Sequence, residues 1–218
     1  MYYGNVSVVS NESNVTKTFA LYDDFESYSI GDDAKPPWEW YSTDGGSVSF
    51  SVQSVSGNKA YESAASATGY PAEAVRSTSY SLGKNYTVEG LVRDTGAADN
   101  DPHPGLVFTW QDSGNYDGIY LRQASNQVVW AKIRNGGYTS PGGLIVLCSY
   151  SLATDTWYKI RVIVNSSGGY VYINGTYCGL ANDILTGSSS LGFLFFNHNN
   201  EPGYYDEIKA RKYVEPEP

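Results

Sequence analysis

The sequence has little positive charge, little sulfur and only two histidines. Its 218 residues include 14 Lys and Arg against 23 Asp and Glu, which gives a formal net charge of −9. A nucleic-acid-binding surface needs a basic excess, so this balance argues against such a partner. No apolar run approaches the length of a membrane span, and no signal peptide is visible. We therefore expect neither nucleic-acid binding nor a membrane span in this chain.

Motifs of common enzymes are missing as well. The sequence contains no Gly-x-Ser-x-Gly, no His-Glu-x-x-His and no phosphate-binding glycine loop. A laminarinase-type glycoside hydrolase would carry a Glu-x-Asp-x-x-Glu strand, which is also absent. A polysaccharide lyase could use Tyr120, Arg122 and His103, although many β-sandwiches contain such residues by accident. An enzyme is therefore the least favoured interpretation. If the chain is an enzyme, we expect a glycoside hydrolase or a polysaccharide lyase.

Aromatic and glycine residues are abundant, with 20 Tyr and 23 Gly. This composition favours strands and turns over helices. Residues 157–165 alternate between apolar and charged side chains, which is the period-two pattern of a half-buried strand. A Ser-Ser-Gly-Gly turn leads into 171–173, and Asn174-Gly175 then favours a type I′ turn. This stretch predicts three consecutive antiparallel strands.

Similar short strands recur along the chain with no amphipathic helix between them. They are predicted at 48–52, 59–62, 86–93, 105–111, 118–122, 127–133, 143–148, 191–196 and 204–214. This regular spacing predicts an all-β fold, a two-sheet antiparallel β-sandwich.

Three segments carry a resemblance to a known family. They are "WYKIRVIVN…VYINGT" at 157–176, "GLVFTWQDSGNYDGIYLR" at 105–122 and "YYDEIKARKYV" at 204–214. They resemble concanavalin A-like and laminin G-like jelly rolls of archaeal or bacterial cell-surface proteins, over about residues 20–214. The resemblance implies a jelly-roll domain and says little about its ligand.

The flanking residues suggest a larger parent protein. Residues 1–19 resemble the tail of a domain of unknown function that precedes laminin G-like modules, and a plain linker is the alternative. Residues 215–218 have the Pro/Glu composition of a stiff exit linker. We therefore expect the chain to be an excised piece with neighbouring domains.

Sequons and cysteines point to an extracellular location. Six Asn-x-Ser/Thr sequons occur, at Asn5, Asn11, Asn14, Asn85, Asn165 and Asn174. The only two cysteines, Cys148 and Cys178, fall on predicted strands, and an even pair in an exported protein predicts a disulfide. Two buried reduced thiols remain the alternative.

A ligand-binding face is predicted from strand alternation. If Ile119 and Leu121 point into the core, the residues that follow each of them point outward. The same argument places the odd-numbered apolar residues of 127–133 inside and the even-numbered ones outside. The predicted face comprises Glu89, Arg93, Tyr120, Arg122, Trp130 and Lys132.

Flat aromatic rings beside polar groups are typical of carbohydrate-binding surfaces. A solvated outer sheet carries the same residue types, because long side chains lie across their neighbours. The leading hypothesis is thus a non-catalytic carbohydrate-binding module, and the alternative is a structural or adhesion spacer.

A structural calcium ion is the last expectation. Asp24 and Glu26 lie where the chain enters the fold, and Asp206 lies at the start of its closing strand. In a sandwich of this topology the first and last strands are neighbours, so these carboxylates are expected to lie close together. Calcium relieves repulsion between carboxylates and accepts oxygen ligands with loose geometry. The jelly-roll resemblance implies Asp206 first, then Asp24 and Glu26, with carbonyls of the 45–46 turn. The alternative leaves the two early carboxylates in solvent or paired with Lys209 and Arg211.

Overall fold

The computed structural model describes residues 19–34, 38–42, 48–65, 72–77, 82, 85–96, 103–138, 143–185, 192–196 and 202–213. Most of the predicted tail, the exit linker, the 45–46 turn and the sequons at Asn5, Asn11 and Asn14 lie outside these ranges. Within them, no helix is long and apolar enough to cross a membrane.

Sixteen strands account for the regular structure of the described residues. They are β1 (Leu21–Asp23), β2 (Trp38–Ser42), β3 (Val48–Val55), β4 (Asn58–Ala65), β5 (Ala72–Ser77), β6 (Tyr86–Asp94), β7 (His103–Asp112), β8 (Asn115–Arg122), β9 (Gln127–Arg134), β10 (Gly137–Tyr138), β11 (Leu144–Ser149), β12 (Trp157–Asn165), β13 (Gly168–Ile173), β14 (Thr176–Ala181), β15 (Gly192–Phe196) and β16 (Gly203–Lys212).

The strands form two eight-stranded antiparallel sheets. Sheet A has the order β14-β13-β12-β6-β16-β4-β3, with β1 also paired to β16. Sheet B has the order β10-β9-β8-β7-β15-β5-β2, with β11 also paired to β9. The all-β, two-sheet antiparallel sandwich predicted from the sequence is confirmed. The apolar 191–196 segment provides β15, an interior strand of sheet B as predicted.

The three strands β12, β13 and β14 follow one another by tight turns, also as predicted. Ile173 pairs with Thr176 across a two-residue turn in which Asn174 and Gly175 have φ of 47° and 83°. These positive values are what a type I′ turn requires. The Asn174 side chain also accepts a hydrogen bond from the Lys159 amide at 2.8 Å, which ties the turn to β12.

The main core lies between the sheets. Sheet A contributes apolar residues from its central strands, including Val88, Ile160 and Tyr205, and sheet B contributes residues such as Leu106 and Ile119. A second apolar cluster lies on the face of β7, β8 and β9 that points away from sheet A. We call it the outer cluster of sheet B: Val107, Trp110, Tyr116, Tyr120, Val129, Ala131 and Ile133. Because no member is more than 4% exposed, sheet B is buried on both faces in this region.

One disulfide joins the edges of the two sheets. Cys148 lies on β11 of sheet B and Cys178 on β14 of sheet A, and their Cα atoms are 5.3 Å apart. The disulfide predicted from the sequence is therefore present. A bridge that spans 30 residues stabilises the fold by about 3–4 kcal/mol on the chain-entropy model.

The first and last described strands are neighbours, as predicted. Leu21 on β1 pairs with Ala210 on β16, so residues 19 and 213 lie at the same end of sheet A. Asp23 fixes this entry segment by accepting a hydrogen bond from Trp38 Nε1 of sheet B at 2.7 Å. The chain therefore enters and leaves the sandwich at one place.

Candidate functional site

The six residues of the predicted ligand face do not form one surface. Glu89 and Arg93 lie on β6, in sheet A, and point away from the core. The other four lie on β8 and β9, in sheet B. The prediction of a single groove is therefore wrong, because alternation reports the face of a strand but not the sheet that the strand joins.

Trp130 is a further correction. It is 2% exposed, lies in the core between the sheets and is paired in register with Ile119. Lys132 follows the same inward phase, with its ammonium nitrogen 5.7 Å from the Trp130 ring and an ion pair to Asp183. The odd-numbered apolar residues of β9, namely Val129, Ala131 and Ile133, belong instead to the outer cluster of sheet B.

A buried carboxylate explains how this inward side of β8 and β9 tolerates polar groups. Asp117 is fully buried and accepts hydrogen bonds from Thr109 Oγ1 at 2.6 Å and Trp130 Nε1 at 3.0 Å. It also accepts from Arg134 Nη2 at 2.9 Å and from the Leu185 amide at 2.9 Å. This set of donors satisfies a charge that would otherwise be costly to bury. This structural network was not predictable from the sequence, because it is specified by pairing across strands.

Tyr120 faces away from the core as predicted, but it is only 3% exposed within the outer cluster of sheet B. Burial raises the pKa of its hydroxyl to about 12. Trp110 and Tyr116 of the same cluster stack with ring centroids 5.2 Å apart. Arg122 at the end of β8 is exposed. This face therefore offers Arg122 to solvent while its aromatic rings are enclosed.

A row of aromatic and charged side chains crosses the outward face of sheet A. Trp157 on β12, Arg93 on β6 and Tyr204 on β16 are paired in register across three adjacent strands. Their neighbours Tyr158, Val92 and Tyr205, also paired in register, face the core. The row therefore points outward, and its members are half-buried.

Arg93 occupies the middle of this row. Its guanidinium carbon lies 6.0 Å from the centroid of the Trp157 ring and 5.6 Å from that of Tyr204, within the range of cation–π attraction. Its Nη2 donates to Asp155 Oδ1 at 3.0 Å. Its Nε is buried and has no hydrogen-bond partner among the described residues. A buried donor without an acceptor is unusual in a folded protein.

The side chains around Arg93 are held in place. The Asp155 amide donates to the Asp94 carbonyl at 2.9 Å, which positions the carboxylate beside the guanidinium. The Tyr204 hydroxyl is hydrogen-bonded to Glu62, and burial together with this bond raises the Tyr204 pKa to about 12. Tyr204 and Glu62 are paired in register, so the row continues onto β4. We call Trp157, Arg93, Tyr204 and Glu62 the aromatic row.

Glu89 lies on the same face, further along β6. Its carboxylate pairs with Lys159 Nζ at 2.6 Å and lies 3.7 Å from Arg161 Nε. Arg161 in turn lies 5.6 Å from the Tyr172 ring. Glu89 is thus engaged by two cations, whereas Arg93 keeps a donor without an acceptor among the described residues. Of the predicted ligand residues, Arg93 has the geometry best suited to binding.

The predicted calcium ligands are close to one another without forming a metal site. Burial raises the pKa of Asp206 to about 6, and the charges of Glu207, Asp24 and Glu26 contribute to the increase. Glu26 Oε1, however, accepts from the Lys59 amide at 2.7 Å. Among the residues that the structure describes, no three Asp, Glu, His or Cys side chains are placed to hold a metal ion.

The alternative pairing for these carboxylates is also not realised at Lys209. Lys209 Nζ pairs with Glu207 at 3.1 Å. Asp24 instead accepts from the Tyr22 hydroxyl at 3.3 Å and from the Glu26 amide at 3.3 Å. Asp206 accepts from the Glu207 amide at 2.6 Å. The acidic cluster is therefore organised by local donors.

No family model and no curated protein matches the sequence. Among solved structures, the fold is similar to a carbohydrate-binding module, CBM66, from Bacillus subtilis (TM-score 0.57, 12% identity, 79% of this chain and 95% of that one). It is also similar to a structure described under endo-acting O-glycanases of the human gut microbiota that initiate mucin breakdown (TM-score 0.62, 13% identity, 90% and 100%). A third is the VIP36 exoplasmic/lumenal domain with Ca²⁺ and Man3GlcNAc bound (TM-score 0.54, 10% identity, 87% and 90%). At these identities the likeness establishes the fold, which is the concanavalin A-like sandwich predicted from the sequence.

Proposed function

We propose that this domain is a non-catalytic, extracellular carbohydrate-binding module that binds sugar on the aromatic row of sheet A. The observation that carries the proposal is Arg93, which lies between two aromatic rings on the outward face of sheet A and is paired with the exposed Asp155. This arrangement combines the two kinds of contact that sugars make.

The chemistry of the row suits a polyhydroxylated ligand. The half-buried rings of Trp157 and Tyr204, which flank Arg93, offer apolar surface for sugar C–H groups. The Arg93 guanidinium donates to hydroxyl oxygens, and the neighbouring Asp155 carboxylate accepts from hydroxyl groups. A donor and an acceptor side by side are well placed to bind two adjacent hydroxyls of one sugar.

The structural neighbours support this proposal at the level of the fold. One is named as a carbohydrate-binding module, and another is bound to Man3GlcNAc. The extracellular location rests on the disulfide, because such bonds persist in oxidising compartments.

A purely structural spacer is the second candidate, and the placement of the ends speaks against it. Because β1 and β16 are paired, residues 19 and 213 lie at the same end of sheet A. A module that receives and returns the chain at one place adds little length between the segments that flank it. A domain that separates its neighbours would have its first and last strands end at opposite sides of the sandwich.

A glycan array with matched variants tests the proposed site. We expect the wild-type domain to bind a set of glycans, and Trp157→Ala and Arg93→Gln to bind the same glycans more weakly because each removes one kind of contact. Tyr177→Ala is the control, since Tyr177 is an exposed aromatic residue on β14 away from the row. Near-ultraviolet circular dichroism checks that each variant is folded.

Two outcomes of that array would contradict the proposal. Binding lost in Tyr177→Ala but retained in Trp157→Ala would place the site elsewhere. If the folded wild type binds no glycan on the array, carbohydrate binding itself is contradicted. Incubation of the bound glycans followed by mass spectrometry tests the non-catalytic part, for which we expect no change in glycan mass.

A structural calcium ion is a separate part of the proposal. Carboxylate oxygens are suitable calcium ligands, and the repulsion that helps raise the Asp206 pKa would be relieved by a divalent cation. Asp206, Asp24 and Glu26 are the candidate ligands, and each of these carboxylates also accepts a hydrogen bond from a local donor. Further ligands would have to come from backbone or water.

A further inference from the structure

The aromatic row also indicates what kind of glycan would bind. Building on the proposed function, we propose that the ligand is a neutral, linear polysaccharide whose chain lies across the strands of sheet A and is bound through its interior sugars. Three features of the row support this: its spacing, its continuation and its charge.

The spacing of the two rings exceeds the size of one sugar. Trp157 and Tyr204 lie on strands that flank β6, and neighbouring strands are about 4.8 Å apart, so the rings are separated by about 10 Å. A pyranose ring is about as wide as an aromatic ring and covers only one of them. Both rings are used together only if sugars further along one chain occupy them.

The row continues in the same direction beyond Tyr204. Glu62 on β4 is paired with Tyr204, and Ser51 on β3 is paired with Glu62. Both are half-buried on the outward face. Gln53 Nε2 donates to Ser51 Oγ at 2.9 Å, which fixes the polar groups at this end. The outward-facing groups therefore form a line across β12, β6, β16, β4 and β3, in place of a ring of groups around one sugar.

This linear arrangement favours the interior of a chain over its end. Recognition of a chain end needs several polar groups that converge on one terminal sugar. Here the polar groups follow one another at strand spacing, and each is positioned to contact a different sugar. A chain that runs along the row can also extend beyond it in both directions.

The charges along the row favour a neutral chain. Asp155 is paired with Arg93 and Glu62 is hydrogen-bonded to Tyr204, so the row holds two carboxylates and one guanidinium, and the whole chain carries a net charge of −9. A glycan rich in uronic acid would bring further negative charge to these carboxylates. Neutral sugars avoid this repulsion and can still accept hydrogen bonds from the Arg93 guanidinium.

Length dependence is the direct test. Cello-, xylo-, manno- and malto-oligosaccharides of increasing length, starting from each monosaccharide, are titrated by isothermal calorimetry, with polygalacturonate as the charged comparison. We expect affinity in one neutral series to rise with each added sugar until the row is covered and then to level off. Polygalacturonate is expected to bind more weakly than the neutral polysaccharide of that series.

The two ring variants provide the matched comparison. Trp157→Ala and Tyr204→Ala should each lower the affinity for the longest oligosaccharide by up to about tenfold, as expected for the loss of one stacking contact. Each should also shorten the length at which affinity levels off, whereas Tyr177→Ala should change neither quantity. In nuclear magnetic resonance spectra, the Arg93 Nε–H signal should shift on binding.

The outcomes separate this inference from the proposed function. If a monosaccharide binds as tightly as the longest oligosaccharide and Trp157→Ala abolishes both, the proposed function stands and interior-chain recognition is wrong. The inference is equally wrong if all four series fail while the array shows binding to branched termini or to acidic glycans. If neither array nor titration shows binding by the folded protein, the proposed function fails with it.

Discussion

At the scale of single residues, two carboxylates differ in the groups that surround them. Asp117 is fully buried and is surrounded by donors from Thr109, Trp130, Arg134 and Leu185. Asp206 is only partly buried, and its charged neighbours are acidic. Asp117 therefore contributes to the fold as a satisfied charge, whereas the charge of Asp206 opposes folding.

The sign of the Asp206 contribution follows from its pKa. Folding raises this pKa from 3.8 to about 6, so the folded state holds its proton more tightly than the unfolded chain. The charged carboxylate therefore destabilises the fold above pH about 6, and this penalty disappears below pH about 4. Asp206→Asn removes the charge and retains an oxygen that can accept from the Glu207 amide.

We therefore predict that Asp206→Asn is more stable than the wild type at pH 7.5 without calcium and that the difference vanishes near pH 4. Thermal unfolding across this pH range measures it. Calcium should raise the Tm of the wild type at pH 7.5 but not that of the variant, because the proposed ion needs this carboxylate. If EDTA and calcium leave the wild-type Tm unchanged, there is no structural calcium here. A variant that is less stable at pH 7.5 would contradict the sign.

At the scale of the elements, alternation predicted the strands well and their orientation poorly. The hairpin around Asn174 and the sandwich itself were predictable because period two and a turn signal are local properties. Residues 127–133 carry apolar side chains on both faces, and the structure buries both. The sequence therefore offered no contrast from which to choose the core face of Trp130.

Pairing between distant strands could not be predicted from the sequence, for a related reason. The aromatic row joins Trp157, Arg93 and Tyr204, which lie far apart in sequence and meet only through sheet order. Arg93 was predicted as a ligand residue from its strand phase, whereas its two aromatic neighbours were not. No local sequence pattern encodes the row, because the order of strands is a property of the whole sheet.

The two hairpin glycines of sheet A allow a prediction about turns. Gly175 has φ of 83°, and nothing lies within 4 Å of the position that a Cβ would take there. At Gly168, with φ of 133°, a Cβ would lie 2.2 Å from the Ala181 carbonyl oxygen. We expect Gly175→Ala to cost about 1–2 kcal/mol from backbone strain alone. Gly168→Ala should cost more, because the backbone of β14 must also move.

Urea unfolding of both variants measures this difference. Equal losses of stability would contradict the close approach of Gly168 to β14, and no loss in Gly175→Ala would contradict the type I′ turn. Either result would place the register of β13 and β14 in doubt, since both glycines define where these strands begin and end.

At the scale of the whole molecule, the sandwich is closed by different means at different edges. The Cys148–Cys178 disulfide connects the β11 and β14 edges. Near the entry of the chain, a short β1 pairs with residues 208–210 of β16, and the Asp23–Trp38 hydrogen bond links the two sheets. One edge is thus covalent, and the other depends on a three-residue strand.

This contrast predicts how the molecule responds to force. Handles attached at residues 19 and 213 pull β1 away from β16 one backbone pair at a time, since the two strands are antiparallel and their ends lie together. Handles at residues 19 and 155 pull β1 along its length and load its three pairs with β16 at once, because Asp155 lies at the opposite end of sheet A, beside Arg93. Optical-tweezers unfolding should require the lower force in the first geometry, and equal forces would contradict the prediction.

The paired ends also determine what tension in a longer polypeptide would do to a bound glycan. A pull that arrives through residue 19 and leaves through residue 213 passes across the three pairs of β1 and β16 and does not cross Trp157, Arg93 or Tyr204. The β1 pairs would separate first, and the load would reach β16 and the rest of the sandwich only after that. The contacts proposed for a glycan would therefore persist under tension until β1 has separated from β16.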